Sequence, residues 1–345
     1  MKPLVIGVSG INAVDNPGPG IGVARSLKED KDLNVKIIGL AYDALEPGIY
    51  MDWLIDQSFT VPYPSGDGEG FLKRLRLIQK QTGLQCMIPN LDAELPLYIR
   101  YAEEIEALGI RVLVPTMNQF KLRSKDQLVD LAKKMKIKAP PTKVVQNDEQ
   151  FAAALRTFGF PIIVKGVFYE AYKAYTEADA YKHYRSLSAK WGFPIIVQQL
   201  VTGDELNVVG LGDGEGATLG LVGMKKMSVT AIGKVWSAVS IKHDAMLSAA
   251  KRFVKAFQWR GPFELECMVS QDDVYLIEIN PRFPAWTYFA TGVGVNLPSR
   301  MVRKMFDLPL GKTPSYAAGK MFMRYTYEIV TEMDRFQQIM TVGNT

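Results

Sequence analysis

The chain reads as a mixed α/β and α+β protein, with an open parallel α/β domain first and a two-part unit of antiparallel sheets after it. Three observations predict this. Over residues 1–115 short apolar strands alternate with helical segments, the rhythm of a βαβ sheet. The hexamer Gly159-Phe160-Pro161-Ile162-Ile163-Val164 returns as Gly192-Phe193-Pro194-Ile195-Ile196-Val197, each copy following a helical segment. Residues 261–284, GPFELECMVSQDDVYLIEINPRFP, hold two apolar-rich runs of alternating pattern around the polar tract Ser270 to Asp273, which predicts a hairpin. At 345 residues the chain is long for one core. We place the boundaries at 1–115, 116–200 and 201–345.

The first domain has its strands at Leu4–Val8, Lys36–Leu40, Ser58–Val61, Cys86–Pro89 and Arg111–Val114, with a helix over Ile21–Lys28. Ligands of such a sheet gather at the carboxyl ends of its strands, here Gly10 to Gly20, Tyr42-Asp43 and Asn90 to Asp92. Gly18-Pro19-Gly20-Ile21-Gly22 fails as a dinucleotide fingerprint, because about ten residues separate it from the strand and its third glycine is misplaced. The helix start behind these glycines either binds an anion such as a substrate carboxylate or simply closes a long loop.

Asn118 to Lys136 has helical spacing and is stopped by Ala139-Pro140-Pro141-Thr142. Asn147 caps a helix to about Phe158. The two hexamers form buried strands of one small sheet, and Lys165, ending the first, needs an anion because an unpaired ammonium there is costly. Leu206–Leu211 and Ala217–Met224 pair around a glycine-rich turn. A strand over Ser237–Ile241, helices over 246–257 and Leu297–Phe306, and a last strand over Lys320–Tyr327 follow; the tail to Thr345 carries no pattern.

Composition excludes several classes. Apolar residues at 48% and charged residues at 22% describe a soluble globular protein. A net charge of +5 is spread out, and the knot Lys133, Lys134, Lys136 and Lys138 reads as a solvated helix face, so no nucleic-acid partner is expected. No apolar run approaches a membrane span, and Met1-Lys2-Pro3 leads into a strand without a signal-peptide pattern, so no membrane partner and a cytoplasmic location are expected. Cys86 and Cys267 lie in apolar runs, and His183 and His243 are too few for a histidine metal site. Neither G-x-S-x-G nor a Cys/His pattern points to a hydrolase.

In the hairpin, Phe263, Leu265, Cys267 and Val269 share one face, and Glu264, Glu266 and Met268 share the other. On the second strand Leu276, Glu278 and Asn280 fall together, and Arg282 follows. A loop of three or five residues would set Glu266 opposite Glu278 and Glu264 opposite Asn280, while a one-residue slip would part them. Facing carboxylates repel. With an amide oxygen beside them they suit a divalent cation of the Mg²⁺ kind, or else they form a solvated face.

Ile277-Glu278-Ile279-Asn280-Pro281-Arg282, preceded by Gly261-Pro262-Phe263-x-x-Glu266, resembles the metal-binding core of the ATP-grasp superfamily near its carbamoyl-phosphate synthetase, biotin carboxylase and amino-acid ligase branches. The resemblance implies a pre-ATP-grasp domain, an ATP-grasp fold, and ATP-dependent carboxylate–amine or carboxylate–thiol ligation through an acyl phosphate. It implies that Glu266, Glu278 and Asn280 hold Mg²⁺, with Mn²⁺ as an alternative, and that Arg282 stabilises the acyl phosphate. Lys125 and Lys165 would contact the nucleotide phosphates. Gln198, Gln199, Leu200 and Val201 would receive adenine, Glu205 the ribose, and Lys242 and His243 would lie near the phosphates. The partners implied are a small carboxylate and an amine, and a homodimer is among the assemblies the sequence allows.

Two departures stand out. Relatives follow the phosphate lysine with a glycine-rich lid, whereas Gly166 to Tyr175 holds one glycine; either Lys173 and the tyrosines substitute, or nucleotide is bound without fast turnover. Trp286 either shapes the acyl pocket or packs in the core.

Overall fold

The computed structural model describes residues 2–167, 170–231 and 233–345. Its first sheet is wholly parallel: β1 (Leu4–Val8), β2 (Val35–Ala41), β3 (Gln57–Thr60), β4 (Cys86–Ile88) and β5 (Arg111–Val112), in the order β3-β2-β1-β4-β5. Residues 9–20 cross the carboxyl end of β1 and enter α1 (Pro19–Lys28). The loop is folded on itself. A Cβ on Gly18 would meet Gly10 O at 2.3 Å, and one on Gly20 would meet Ser9 O at 2.0 Å, so these glycines are required by close backbone approach.

The sequence predicts one helix from Asn118 to Lys136, and the structure divides it. Helix α2 (Met117–Lys121) ends in turns over 122–127 before α3 (Leu128–Met135) begins. Ser124 bonds Asp126 side chain to side chain, and Gln127 N donates to Ser124 O at 3.0 Å, giving this stretch an alternative to the helical ladder. Lys125 therefore sits in a turn and is buried.

The second sheet is antiparallel, in the order β8-β7-β9-β6: β6 (Thr142–Val145), β7 (Ile162–Gly166), β8 (Ala171–Ala174) and β9 (Ile195–Gln199). Helix α4 (Asp148–Phe158), capped by the Asn147 side chain, leads into β7, and α5 (Glu177–Trp191) leads into β9. The repeated hexamers enter their strands alike, with Gly159 at φ 64° and Gly192 at φ 73° followed by cis Phe160–Pro161 and Phe193–Pro194.

The third sheet, also antiparallel, runs β14-β13-β10-β11-β12-β15, from β10 (Asp204–Asp213), β11 (Thr218–Val229), β12 (Val235–Ile241), β13 (Arg260–Ser270), β14 (Asp273–Asn280) and β15 (Met321–Met323). Helix α6 (Asp244–Phe257) and α3 cover one face. Met246, Ala250 and Phe253 of α6 and Leu131 of α3 pack on Leu206, Val208, Phe263 and Leu265. The opposite face of β10, β13 and β14 carries the polar rungs described below.

The hairpin reaches the favourable register by another route than loop length. Ser270 pairs with Asp273, so the turn is only Gln271-Asp272, with Gln271 at φ 55°. That turn alone would set Glu266 across from Ile277. A bulge between Glu266/Glu278 and Cys267/Leu276 removes the offset, and Glu266 then faces Glu278 while Glu264 faces Asn280. The bulge also corrects the expected face of Leu276, which lies in the core with Leu265 and Cys267 rather than beside Glu278.

Helix α7 (Leu297–Met305) follows as expected. The expected strand over Lys320–Tyr327 shortens to β15; one more backbone bond follows it, Arg324 N to Trp236 O at 3.0 Å, and the Arg324 guanidinium turns to Val235 O at 3.2 Å and Ala285 O at 2.7 Å. The patternless tail holds α8 (Met333–Val342), and its end bridges the first sheet at Phe59–Asn344. Among the described residues no helix is long and apolar enough to cross a membrane.

Because the bulge buries Leu276 completely, Leu276→Ala is expected to cost roughly 2–5 kcal/mol in urea unfolding; a loss below about 1 kcal/mol would mean that this side chain faces outward.

Candidate active site

Strand alternation builds the site. On β13 the side chains of Glu264 and Glu266 point away from the helix-covered face, as do Asn280 and Glu278 opposite them, and Asn207 on β10 lies across from Glu266. Asn280 Nδ2 donates to Glu264 Oε2 at 3.0 Å and to Glu266 Oε1 at 3.1 Å. Asn207 Nδ2 and Trp286 Nε1 donate to Glu264 Oε1 at 2.7 and 2.6 Å. Trp286 is thus a buried core residue holding Glu264, the second of the two roles open for it.

Cations surround these carboxyls. Lys226 of β11, with only 9% of its side chain exposed, sends Nζ to Glu266 Oε2 at 2.8 Å and lies 3.5 Å from Glu205 Oε2. Lys125 Nζ lies 3.9 Å from Glu278 Oε2. Arg282 donates from Nε and a terminal nitrogen to Asp92 Oδ2 at 3.2 and 3.1 Å, and lies 3.5 Å from Asn280 Oδ1. Asp92, just past the carboxyl end of β4, also pairs with Arg123 at 3.6 Å. The first sheet and the third therefore meet at Arg282.

Lys165 is buried on β7 and donates to Gln198 Oε1 at 2.9 Å; Gln198 in turn donates to Thr142 Oγ1 at 2.8 Å. Gln198 thus steadies the lysine from the neighbouring strand. Burial and the nearby Lys125 charge pull the Lys165 ammonium down to about 7, against the pull of Glu278. Burial and the Glu266 charge push Glu264 up to about 7. Burial would raise Glu266 too, but the Lys226 ammonium outweighs it and holds that carboxyl below its ordinary value. Burial raises Glu278 against the opposing Lys125.

Gln199, Leu200 and Val201 line a pocket of about 570 Å³ with Ile137, Ala139 and Tyr275, at the turn end of the hairpin. Beyond β12, His243 Nδ1 accepts from Met246 N at 3.3 Å at the start of α6, and Lys242 Nζ stands 5.8 Å from the Tyr316 ring centre. A larger cavity, about 750 Å³, opens where the chain leaves β1 and β2, between residues 13–17, residues 45–51 and the segment 325–336. Of the glycine-poor segment after Lys165, Phe168 and Tyr169 lie outside the described residues; β8 pairs straight back on β7, which confines the connection to 167–170.

Sequence reasoning passed over Asn207 and Lys226, and it marked Asp92 only as part of a strand-end loop where ligands gather, without its partner Arg282. The alternation Glu205-x-Asn207 could have marked Asn207 as facing the hairpin rungs. Lys226 had no such signal, since it comes close only through strand pairing that the sequence leaves open, and the meeting of Asp92 with Arg282 depends on docking of the sheets.

The donor set suits a hard divalent cation: two carboxylates and an amide on paired strands, with an ammonium already seated against Glu266. Among the described residues no three of His, Cys, Asp and Glu gather in ligating geometry, so a site here needs the Asn280 amide.

Residues 123–285 match the family model for an ATP-grasp domain. Solved structures agree across the chain. N5-carboxyaminoimidazole ribonucleotide synthetase from Thermus thermophilus is 17% identical with a TM-score of 0.67, over 92% of this chain and 81% of that one. The biotin carboxylase domain of Hydrogenobacter thermophilus 2-oxoglutarate carboxylase, solved as a dimer with MgADP and bicarbonate, is 14% identical with a TM-score of 0.67, over 90% and 70%. L-amino acid ligase from Bacillus licheniformis is 15% identical with a TM-score of 0.65, over 92% and 76%. The match to an ATP-grasp domain thus spans residues 123–285, and the chain shares the fold of these solved structures over 90% or more of its length.

The raised Glu264 gives a pH signature. Its folded value of about 7 lies above the ordinary 4.5, so its stabilising share is full below the unfolded value and is lost as pH rises through the folded one. The stability difference between wild type and Glu264→Gln is expected to drop between pH 4.5 and 7 by roughly 1–3 kcal/mol. Thermal melts across that range check it, and a flat difference would place an ionised Glu264 in the fold.

Proposed function

We propose that the chain is an ATP-dependent ligase that joins a small-molecule carboxylate to an amine, or to a thiol, through an acyl phosphate, releasing ADP and phosphate. One observation carries this: Glu266, Glu278 and Asn280 share a sheet face with Lys125, Lys165 and Arg282 gathered around them. The solved neighbours, one of them an amino-acid ligase and another holding MgADP, support it.

In this assignment Lys125 and Lys165 bind the phosphates, and the pocket at Gln199, Leu200 and Val201 takes adenine while Glu205 takes the ribose hydroxyls. Lys165, with its lowered proton affinity, gains most from a polyanion, which would restore its full charge. Glu266, Glu278 and Asn280 would hold Mg²⁺ or Mn²⁺, which neutralises the charge spread over the transferring phosphoryl group. Arg282, oriented by Asp92, would face the acyl oxygen. Catalysis of this kind is electrostatic and needs no side-chain nucleophile. The 750 Å³ cavity at the mouths of β1 and β2 supports a substrate site there, at the strand ends where open parallel sheets receive ligands. Lys242 and His243, which also make a ring contact and a helix cap, would lie near the phosphates. Self-association as a homodimer forms part of the same proposal.

The short connection between β7 and β8 favours a second reading, a nucleotide-binding protein without ligase turnover. Mg²⁺-dependent ADP release with a panel of amino acids separates the two. Stimulation by one of them is expected; nucleotide binding with no carboxylate ever stimulating release would favour the second. Glu278→Ala is expected to lower that stimulated release by about a hundredfold or more with unchanged circular dichroism, and undiminished release would remove Glu278 from the metal site.

A further inference from the structure

Lys226 stands where no motif placed it. Its ammonium lies between Glu266 and Glu205, held at 2.8 Å by the first and 3.5 Å from the second, with almost all of its side chain enclosed. The other oxygen of Glu266 already accepts the amide N–H of Asn280 at 3.1 Å. Both oxygens of one proposed metal ligand are therefore satisfied from within the chain, and the amide of a second presents nitrogen to the carboxylates rather than oxygen. A divalent cation arriving alone has to displace the ammonium and turn the amide. It also meets a site without net charge to attract it, because Asp92, Glu205, Glu264, Glu266 and Glu278 are formally matched by Arg123, Lys125, Lys165, Lys226 and Arg282.

We infer that Lys226 is a built-in counter-ion that keeps the metal site closed to free divalent cations until a nucleotide arrives. Phosphate oxygens offer the ammonium a second anionic partner within the same cleft, freeing Glu266 as they bring further ligands for the metal. Lys226 is on this account a positioning residue. It acts through Glu266 on one side and Glu205 on the other, and so couples the ribose carboxylate to the metal carboxylate.

The inference rests on the metal and nucleotide assignment above, and the test separates the two. Mn²⁺ binding to the whole chain is measured by electron paramagnetic resonance or calorimetry, with and without ADP, for wild type, Lys226→Met, Lys226→Gln and Lys226→Arg. Wild type and Lys226→Arg are expected to bind Mn²⁺ weakly without ADP. Lys226→Met and Lys226→Gln, once thermal melts show them folded, are expected to bind it about tenfold more tightly without ADP, since displacing a seated ammonium costs on the order of 1.4 kcal/mol for each tenfold. Unchanged or weaker nucleotide-free binding in both variants would overturn the inference while leaving the metal site in place. Wild type binding Mn²⁺ equally well with and without ADP would overturn it without any variant. Absence of Mn²⁺ binding even with ADP would remove the metal assignment and this inference with it.

Discussion

Carboxylates confined to one face of a twisted sheet are the constraint from which the rest of the molecule follows. Glu264, Glu266 and Glu278 cannot share adjoining rungs of β13 and β14 as bare anions, because like charges on facing rungs repel and burial raises the cost. The fold answers with partners from every direction. Asn207 comes from β10, Lys226 from β11, Lys125 from the turn between two helices, and Arg282 from the end of β14. One carboxyl, Glu264, meets only neutral hydrogen-bond donors, and burial together with the Glu266 charge makes it hold its proton more tightly than those donors can offset.

That requirement explains several otherwise odd local choices. A continuous helix through 118–136 would not provide the turn in which Lys125 sits by Glu278. A regular ladder from the two-residue turn would have put Ile277, not Glu278, across from Glu266, so the bulge is what permits a tight hairpin and a paired acidic rung together. Asp92 anchors Arg282 to the first sheet, so the parallel domain helps to orient a side chain of the antiparallel one.

Much of this architecture was legible in the sequence because it rests on short-range pattern. The βαβ rhythm, the twin hexamers and the hairpin announce themselves through alternation and through glycine and proline punctuation. The facing of Glu266 and Glu278 was legible too, though for the wrong mechanical reason: loop length was expected to set it, and a bulge does. Bulges leave little trace in sequence, and the same oversight put Leu276 on the polar face. What stayed hidden depends on distant pairing. Lys226 looks like any strand lysine until β11 lies beside β10, and Asp92, legible as part of a strand-end loop, gains Arg282 only when the sheets dock. The break at Ser124-Lys125-Asp126 was readable in principle, since serine and aspartate compete with helical hydrogen bonds.

The last stretch of chain has a consequence for self-association. It lays β15 along the outer strand of the third sheet, then runs on to pair Asn344 with Phe59, while Thr60 N donates to Gly343 O at 3.0 Å and Thr345 N to Ser58 O at 3.0 Å along the margin of the first. The β3 margin of the first sheet and the outer side of β12 in the third are covered by a single ribbon of the same polypeptide, which leaves only the three residues of β15 as the new outer strand there. Trimming that ribbon would expose β3 and β12 at once, adding two longer strand edges to which a second chain could pair.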